Sequence, residues 1–326
     1  MFRKLVVAGV VAIGLICQTG ASAQTKWPDK PVRVIVPNAA GSGPDIGARL
    51  LSDALSKVYG QSFIVDNKPG ANGMIAAEAV AKAANDGYNL LFTYASAQVV
   101  NPLLYANAKY DAAKDFEAIV QIGAGGKLLV VPPNFPVNSL KEFIAYESSH
   151  VQCSLSYGSW GYGSGGHLSM EALKQQTGLE ILHVPYKTAT ASSTDLIGGQ
   201  IQVSFTSIAS SLPLIQAGKL KAIAVSGPYR VPQLPDVKTM TEQGVKFDLV
   251  AWYGLFAPAG TAPSIVNSIN HAVIEQLQKP DVVAKWKASL GLSEIPIKTP
   301  EQFAQTVRDD IRDWGAIVKA ANIKIE

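Results

Sequence analysis

A glycine-rich loop that leads into a helix start is the stretch of this sequence best suited to bind an anion. Gly41 and Gly43 lack side chains, so an anion can approach the backbone N–H groups of the loop closely. Pro44 suits the first position of a helix, where its missing N–H is not needed, and Ser42 or Gly43 is the expected cap. The helix dipole favours negative charge at this end. We therefore predict that a carboxylate binds here; the alternative is a turn that only packs the helix on its sheet.

A second stretch later in the chain repeats this design. Residues 157–166 are rich in glycine and serine, and they lie between a predicted strand and a predicted helix over 167–177. Two such loops indicate two lobes that each direct a helix start at one shared ligand, and they favour a ligand with two acidic ends. We expect this arrangement to neutralise the acid without any buried cation.

Small polar residues also follow two other predicted strands. Ser96 lies in one such loop, and Thr206 and Ser207 lie at the end of another strand. In open α/β sheets, ligands bind at the edge formed by the carboxyl ends of the strands. These hydroxyl groups are therefore expected near the same ligand.

The sequence gives little support for catalysis. The four histidines show no paired spacing, and neither an HExxH nor a CxxC motif is present, so no metal ion and no cofactor are expected. The G-x-S-x-G spacing of a nucleophile elbow is missed in both glycine and serine stretches around residue 160. Ser159 and His167 are the only pair that could serve an ester hydrolase, which stays an alternative.

The N-terminus has the pattern of a secretory signal peptide over residues 1–23. Two basic residues precede an apolar run, and an alanine-serine-alanine cleavage pattern ends at Ala23, so the mature chain is expected to begin at Gln24. Only Cys153 then remains, which leaves no internal disulfide. The rest of the chain is nearly neutral and has no basic field for nucleic acid and no later run that could span a bilayer. We expect a soluble monomer.

The length of 326 residues and the hydrophobic content of 48% suffice for two α/β lobes. Strands alternate with helices, as in βαβ units with parallel strands, and the chain is expected to cross between lobes near 123–126 and to return through the apolar stretch 249–257. The predicted division is 24–125 with 250–326 for the first lobe and 126–249 for the second. Predicted strands cover 32–36, 61–66, 88–93, 118–122, 128–132, 152–156, 181–184, 201–205, 220–225 and 249–257, and predicted helices cover 44–58, 71–84, 140–148, 167–177, 189–197, 209–216, 264–278, 281–290 and 300–321.

Several short stretches between Trp27 and Lys324 together carry a family resemblance. They are Trp27-Pro28 with Lys30-Pro31, the loop through Asp45 with Ala48-Arg49, Asn67-Lys68-Pro69-Gly70-Ala71, Asp86-Gly87-Tyr88, His183-Val184-Pro185-Tyr186-Lys187, Asp195-Leu196 with Gly198-Gly199-Gln200, Leu234-Pro235-Asp236-Val237, and Trp252-Tyr253-Gly254-Leu255 running into Ala257-Pro258-Ala259-Gly260-Thr261. In these stretches the chain resembles the Bug-type periplasmic solute-binding proteins of tripartite tricarboxylate transporters.

The resemblance implies an α/β fold of the two-lobed, Venus flytrap type (type II-like), in which each lobe is a mixed sheet flanked by helices. It implies a periplasmic protein that holds a small carboxylate through loop amides, hydroxyls and waters, delivers it to a membrane permease and catalyses nothing. Carried over by position, the implied ligand contacts are Asn38, Ala40, Gly41, Ser42, Gly43, Asp45 and Ser96 from the first lobe, and Ser159, Trp160, Tyr162, Gly163, Ser164, His167, Thr206 and Ser207 from the second.

Departures from the family pattern bear on the ligand. Asn38, Ser42 and Pro44 stand where members often have Phe, Gly and Thr, so Asn38 and Ser42 become the candidate donors of the first loop. Trp160 and Tyr162 stand where small residues are usual, and aromatic rings beside a cleft can stack on a flat ligand. We therefore predict an aromatic carboxylate, with a terephthalate-like diacid as the sharpest candidate; the alternative is that both rings only pack the rim.

Three further residues have two readings each. His167 either donates to the ligand or only caps its helix, and Lys187 is the nearest basic candidate, although it can equally be solvated or paired. Tyr253, like its neighbour Trp252, is expected in the hinge core rather than in the pocket. At the level of function, a sensor that docks on a signalling receptor remains the main alternative to a transport receptor.

Overall fold

The computed structural model describes residues 27–149, 155–227, 229–247, 251–292 and 294–320. The predicted leader and Cys153 lie outside the described residues. The described chain forms two five-stranded sheets, and we call the first sheet with its helices lobe 1 and the second sheet with its helices lobe 2. In this part of the chain no helix has the length and apolar character needed to cross a membrane.

Lobe 1 is built from the first third of the chain and from its C-terminal part. Its strands are β1 (Val32–Val36), β2 (Phe63–Asn67), β3 (Asn89–Tyr94), β4 (Phe116–Gly125) and β10 (Ala251–Pro258), and its helices are α1 (Gly43–Tyr59), α2 (Met74–Ala81), α3 (Asn101–Leu104), α8 (Pro263–Leu277), α9 (Pro280–Leu290) and α10 (Pro300–Ala320).

Lobe 2 is formed by the middle of the chain. Its strands are β5 (Lys127–Val131), β6 (Ser156–Ser159), β7 (Leu182–Pro185), β8 (Val203–Ser207) and β9 (Lys221–Val225), and its helices are α4 (Leu140–Ser149), α5 (Gly165–Thr177), α6 (Ala189–Ile197) and α7 (Ile208–Gln216).

The two sheets share one topology. Their strand orders are β2-β1-β3-β10-β4 and β7-β6-β8-β5-β9, and in each sheet the fourth strand is antiparallel to both neighbours. The βαβ alternation therefore predicted only part of the pairing. In sequence, β5 and β10 each follow a strand of the other lobe, so neither is joined to its neighbour in the sheet by a βαβ crossover, and both can run antiparallel. The two mixed sheets confirm the predicted fold class.

The chain crosses between lobes where the sequence indicated. β4 ends at Gly125 in the first sheet and β5 begins at Lys127 in the second, so Gly126 is the single residue between them. β10 confirms the expected return of the stretch 249–257 to the first sheet. The division of the chain into 24–125 with 250–326 and 126–249 stays a prediction.

Both faces of each sheet are covered by helices. In β5, Leu128 and Val130 join one apolar cluster, whereas Leu129 and Val131 join the other. In β1, Val34 likewise packs with α1 and its neighbours, on the face opposite Ile35. Successive strand residues point to opposite faces, so each sheet is a rigid platform whose strand ends hold the loops of the cleft.

One predicted helix is interrupted. The stretch 71–84 begins as a short 3₁₀ turn, Ala71–Gly73, and becomes regular only in α2. Asn72 and Gly73 have φ angles of 50° and 95°, which a continuous right-handed helix does not permit. The alanine-rich composition predicted the helix but could not reveal this break.

Candidate functional site

Loops from both lobes line one cavity. The turn after β1 and the turn after β6 both contribute to its wall, so the predicted common pocket is present. Six of the predicted contact residues line this cavity, namely Asn38, Ser42, Gly43, Ser96, Trp160 and Ser207. The other predicted residues lie outside its wall, namely Ala40, Gly41, Asp45, Ser159, Tyr162, Gly163, Ser164, His167 and Thr206.

The two lobes lie against each other around the cavity. The backbone oxygen of Tyr162 in lobe 2 accepts hydrogen bonds from the Tyr105 hydroxyl at 2.5 Å and from the Asn72 amide at 3.4 Å, both in lobe 1. A Cβ atom built on Gly291 of lobe 1 would lie only 2.1 Å from Ile208 of lobe 2. The cleft is therefore closed over the cavity.

The buried carboxylate of Asp45 holds the loop after β1 in place through hydrogen bonds. Its carboxylate is 2 % exposed and accepts hydrogen bonds from the Gly41 amide at 2.9 Å, from Arg49 at 3.0 Å and from Asn67 at 2.9 Å. Burial alone would raise the pKa of Asp45, but these hydrogen bonds and the charge of Arg49 outweigh it and hold the pKa below its usual value of 3.8. Asp45 thus fixes the loop and stays ionised.

Asp45→Asn is expected to lower the free energy of unfolding at neutral pH by about 2 kcal/mol, since a buried acceptor of charged hydrogen bonds is lost. Because the folded-state pKa of Asp45 lies below 3.8, its contribution is present above that value and lost as the pH falls through the folded-state pKa. Denaturant unfolding of both proteins from pH 7 to pH 3 should therefore show a difference that shrinks in acid. A constant difference would contradict this role.

The first helix start offers few free amides. Ser42 caps α1 by accepting a hydrogen bond from the Asp45 amide at 3.4 Å, the Ser42 amide itself donates to Ala39, and Pro44 has no N–H. Within the described chain, the Gly43 amide alone has no acceptor among residues 41–46. The predicted cap and first-turn proline are confirmed, but the loop uses most of its own donors.

In the part of the chain that the structure describes, the start of α5 has more unpaired backbone N–H groups than the start of α1. Ser164 caps α5 and accepts a hydrogen bond from the His167 amide at 3.3 Å. The amides of Gly165 and Gly166 have no acceptor among the described residues. Gly165 lines the cavity, so this end of α5 presents backbone donors and the positive end of the helix dipole to a ligand.

His167 is engaged within lobe 2 rather than at the cavity wall. It is 5 % exposed, its Nδ1 accepts a hydrogen bond from the Gly163 amide at 3.0 Å, and its ring stacks on His183 at 4.2 Å. Burial lowers the pKa of His167 to about 4 and that of His183 to about 3, so both rings are neutral at pH 7. The first of the two readings, donation to the ligand, therefore lacks geometric support.

The nominated hydrolase pair is not formed. Ser159 is fully buried, and its hydroxyl meets His183 Nε2 at 2.7 Å instead of His167. Ser159 does not line the cavity, so no substrate held there reaches its hydroxyl. Tyr162 is 44 % exposed and packs edge-on against both histidines, and the Thr206 hydroxyl accepts from Ser211 behind the wall.

Lys127 is the functional candidate that the sequence reasoning missed. It is the first residue of β5, is 9 % exposed and lines the cavity, whereas Lys187 is exposed and borders only a smaller neighbouring space. Burial lowers the pKa of Lys127 from 10.5 to about 8. The expectation of a cleft without a buried cation is therefore wrong. The sequence offered one signal for this role: Lys127 is a lone charged residue between two glycines and an apolar strand, where the chain crosses from lobe 1 to lobe 2.

Tyr253 also lines the cavity, contrary to the expectation that it belongs to the hinge core. Its ring stacks on Phe92 at 5.9 Å, and a Cβ atom built on Gly43 would lie 2.5 Å from its hydroxyl. Its neighbour Trp252 is buried and donates to Asp310, as a core residue would. Consecutive strand residues face opposite sides, which explains why only one of the two reaches the cavity.

Of the two aromatic residues predicted to face the ligand, Trp160 lines the cavity. It is half-buried, lines both the main cavity and the smaller space beside it, and packs on Gly166, where a Cβ atom would lie 2.8 Å from its ring. The close packing fixes the orientation of the ring. Trp160 thus offers an apolar, fixed surface to a ligand.

A closed cleft between two mixed α/β lobes, lined by helix starts and hydroxyl groups, defines a two-lobed solute-binding protein. The chain belongs to the tripartite tricarboxylate transporter receptor family, whose model matches residues 47–323. The described residues contain no cluster of three or more metal-ligating side chains that could hold an ion.

Three solved structures illustrate the similarity. The chain is 34% identical to a protein of R. palustris with adipate, covering 91% of this chain and 99% of that one with a TM-score of 0.86. It is 31% identical to the periplasmic binding protein BugD, covering 92% and 100% with a TM-score of 0.85. It is 32% identical to MatC from Rhodopseudomonas palustris with bound malate, covering 90% and 100% with a TM-score of 0.82.

Proposed function

We propose that this chain is a periplasmic solute-binding protein that captures a small carboxylate by lobe closure and delivers it to the permease of a tripartite tricarboxylate transporter. The observation that carries the proposal is the main cavity between the lobes, where the Gly165 amide at the start of α5, the Gly43 amide and the Lys127 ammonium group all lie at the wall. Each of these groups favours an anion. The relatives solved with adipate and malate support a carboxylate.

Lobe closure supplies the signal for delivery. Residues from both lobes form the wall, with Ser96 on one side and Gly165 on the other, so a ligand that contacts both binds the closed form better than the open one. Only such a difference in affinity can shift the population towards closure. A permease that docks on the closed form would then select the loaded protein.

The experiment is titration calorimetry of the purified protein with a panel of aliphatic and aromatic mono- and dicarboxylates. Micromolar or tighter binding of at least one acid is expected, together with a smaller radius of gyration in solution scattering when that acid is present. Absence of binding across the whole panel would overturn the proposal. Loss of uptake of the same acid in a deletion strain tests the transport partner.

Within the carboxylates we propose an aromatic body, for which terephthalate is the diacid to test. Trp160→Ala is expected to weaken benzoate or terephthalate roughly tenfold, since stacking on a fixed ring contributes about 0.5 to 1.5 kcal/mol beyond its buried area. Adipate, a flexible aliphatic acid, should lose less affinity. Calorimetry on both variants checks the difference, and equal losses would remove the argument for an aromatic ligand.

A further inference from the structure

Among the described residues that line the cavity, Lys127 is the single charged side chain. No carboxylate of the described chain pairs with its ammonium group, and burial is the sole influence on its pKa. A buried charge without a partner is unfavourable, because the lost hydration is not replaced. A protein that keeps a lysine in such a place gains most when a ligand supplies the opposite charge.

The surroundings of Lys127 form a set of donors from both lobes. A Cβ atom built on Gly165 would lie 3.2 Å from Nζ of Lys127 and 3.1 Å from Oγ of Ser96, so both groups converge on the start of α5. The Gly165 amide has no acceptor within the described part of the chain. An ammonium, a hydroxyl and a backbone N–H at one point match the two acceptor oxygens of a carboxylate.

The rest of the wall is uncharged. Ile208, Leu290, Leu292 and Trp314 give it an apolar surface, and the described lining includes no aspartate, glutamate, arginine or histidine. The ammonium group of an amino acid would therefore find no counter-charge. A second carboxylate would find neutral donors only, such as the Tyr253 hydroxyl.

We infer that the ligand carries a single carboxylate, paired with Lys127 in the closed cleft, on an uncharged and largely apolar body. The inference rests on the proposed function and narrows it: of the acids considered above, it favours monoacids over terephthalate and other diacids. One ammonium balances one carboxylate, and the apolar wall covers the remainder of the molecule.

Two pairs of acids test how the number of carboxylates in the ligand affects its affinity. Hexanoate and adipate share a six-carbon chain, and benzoate and terephthalate share one ring, but the first of each pair has one carboxylate fewer. Calorimetry on the wild-type protein is expected to give at least tenfold tighter binding for the monoacid of at least one pair. Lys127→Met should weaken that monoacid at least a hundredfold, whereas Lys219→Met, which removes an exposed lysine of the same lobe, should leave its affinity unchanged.

The outcomes separate this inference from the proposed function. If neither monoacid binds at least tenfold more tightly than its matched diacid, the single-carboxylate inference is overturned and a carboxylate receptor stays in place. Unchanged affinity in a folded Lys127→Met protein would equally overturn it. If none of the four acids binds to the wild-type protein, the proposed function itself is contradicted. The wild-type comparison needs no variant, so the inference stays testable even if Lys127→Met fails to fold.

Discussion

Lys127→Met is expected to make the ligand-free protein more stable at pH 7 while it removes carboxylate binding. Burial lowers the pKa of Lys127 from 10.5 to about 8, so the folded protein holds a charge that its environment disfavours. At roughly 1.4 kcal/mol per pH unit, this shift corresponds to about 3 kcal/mol of stability lost at neutral pH. Methionine has a similar length and no charge, so the variant should recover much of that free energy.

The sign of the pH dependence follows from the same shift. The folded-state pKa of Lys127 lies below the unfolded value of 10.5, so between pH 8 and pH 10.5 the unfolded chain binds a proton that the folded chain has released. In that window the contribution of Lys127 to wild-type stability rises with pH. Lys127→Met lacks this titration, so its advantage should shrink as the pH approaches 10.5.

Denaturant unfolding of both proteins between pH 7 and pH 10 tests the prediction, with Lys219→Met as the control for loss of an exposed lysine. The control should follow the wild type at every pH, because an exposed ammonium keeps its hydration. Lower stability of Lys127→Met at pH 7 would show that the ammonium group has a stabilising partner. Benzoate, if bound, should stabilise the wild type and leave Lys127→Met unchanged.

Much of the fold was predictable because local patterns specify local structure. Each predicted strand and helix overlaps an observed one, and the limits of α6, Ala189–Ile197, were predicted without error. Ser42, Pro44 and the glycines around them marked the start of α1 because caps and first-turn residues depend on neighbours in sequence. The common cavity followed from two such starts.

Lys127 escaped prediction because its role depends on contacts between distant segments. Its immediate sequence shows a lysine at the beginning of a strand, which in most proteins is solvated. Only the fold brings this residue to Ser96 of lobe 1 and to the start of α5. No spacing rule connects residues 96, 127 and 165.

In the loop after β6, the directions of neighbouring side chains could not be predicted from the sequence either. Trp160 and Tyr162 are two residues apart, but only Trp160 faces the cavity, while Tyr162 packs against His167 and His183. Both residues lie beyond β6, which ends at Ser159, and Gly161 between them has a φ of 117°, so the alternation of side chains in a strand does not apply here. Side-chain direction in such a loop cannot be obtained from spacing alone.

Gly43→Ala is expected to reduce ligand affinity by one to two orders of magnitude without unfolding the protein. A Cβ atom at this position would lie 2.5 Å from the Tyr253 hydroxyl and 3.0 Å from the Ser207 hydroxyl. Overpacking of this kind typically costs about 1 to 3 kcal/mol. Since Ser207 belongs to lobe 2, the contact with it disappears when the lobes separate, so part of the cost falls on the closed, ligand-binding form.

The higher helix propensity of alanine stabilises α1 and so opposes the unfavourable effect of overpacking in the Gly43→Ala variant. Alanine favours the helical conformation over glycine by up to about 1 kcal/mol, which offsets part of the strain that the contact with Tyr253 places on lobe 1 itself, so thermal stability should fall less than affinity. Gly198→Ala is the matched control, because this exposed glycine has a φ of −75° and the nearest atom to the new Cβ, the backbone oxygen of Thr194 in the preceding turn, would lie at an ordinary contact distance of 3.5 Å. It should bind the ligand as the wild type does.

Tyr253→Phe tests whether the hydroxyl contact causes the loss. In the double variant Gly43→Ala with Tyr253→Phe, the atom at 2.5 Å is absent, so affinity should exceed the value expected from adding the two single effects. The ring itself stays held by Phe92. Strict additivity would mean that the methyl group acts elsewhere, for example on the Gly43 amide. A positive coupling would identify the approach of α1 to the Tyr253 hydroxyl as a contact that requires glycine at residue 43.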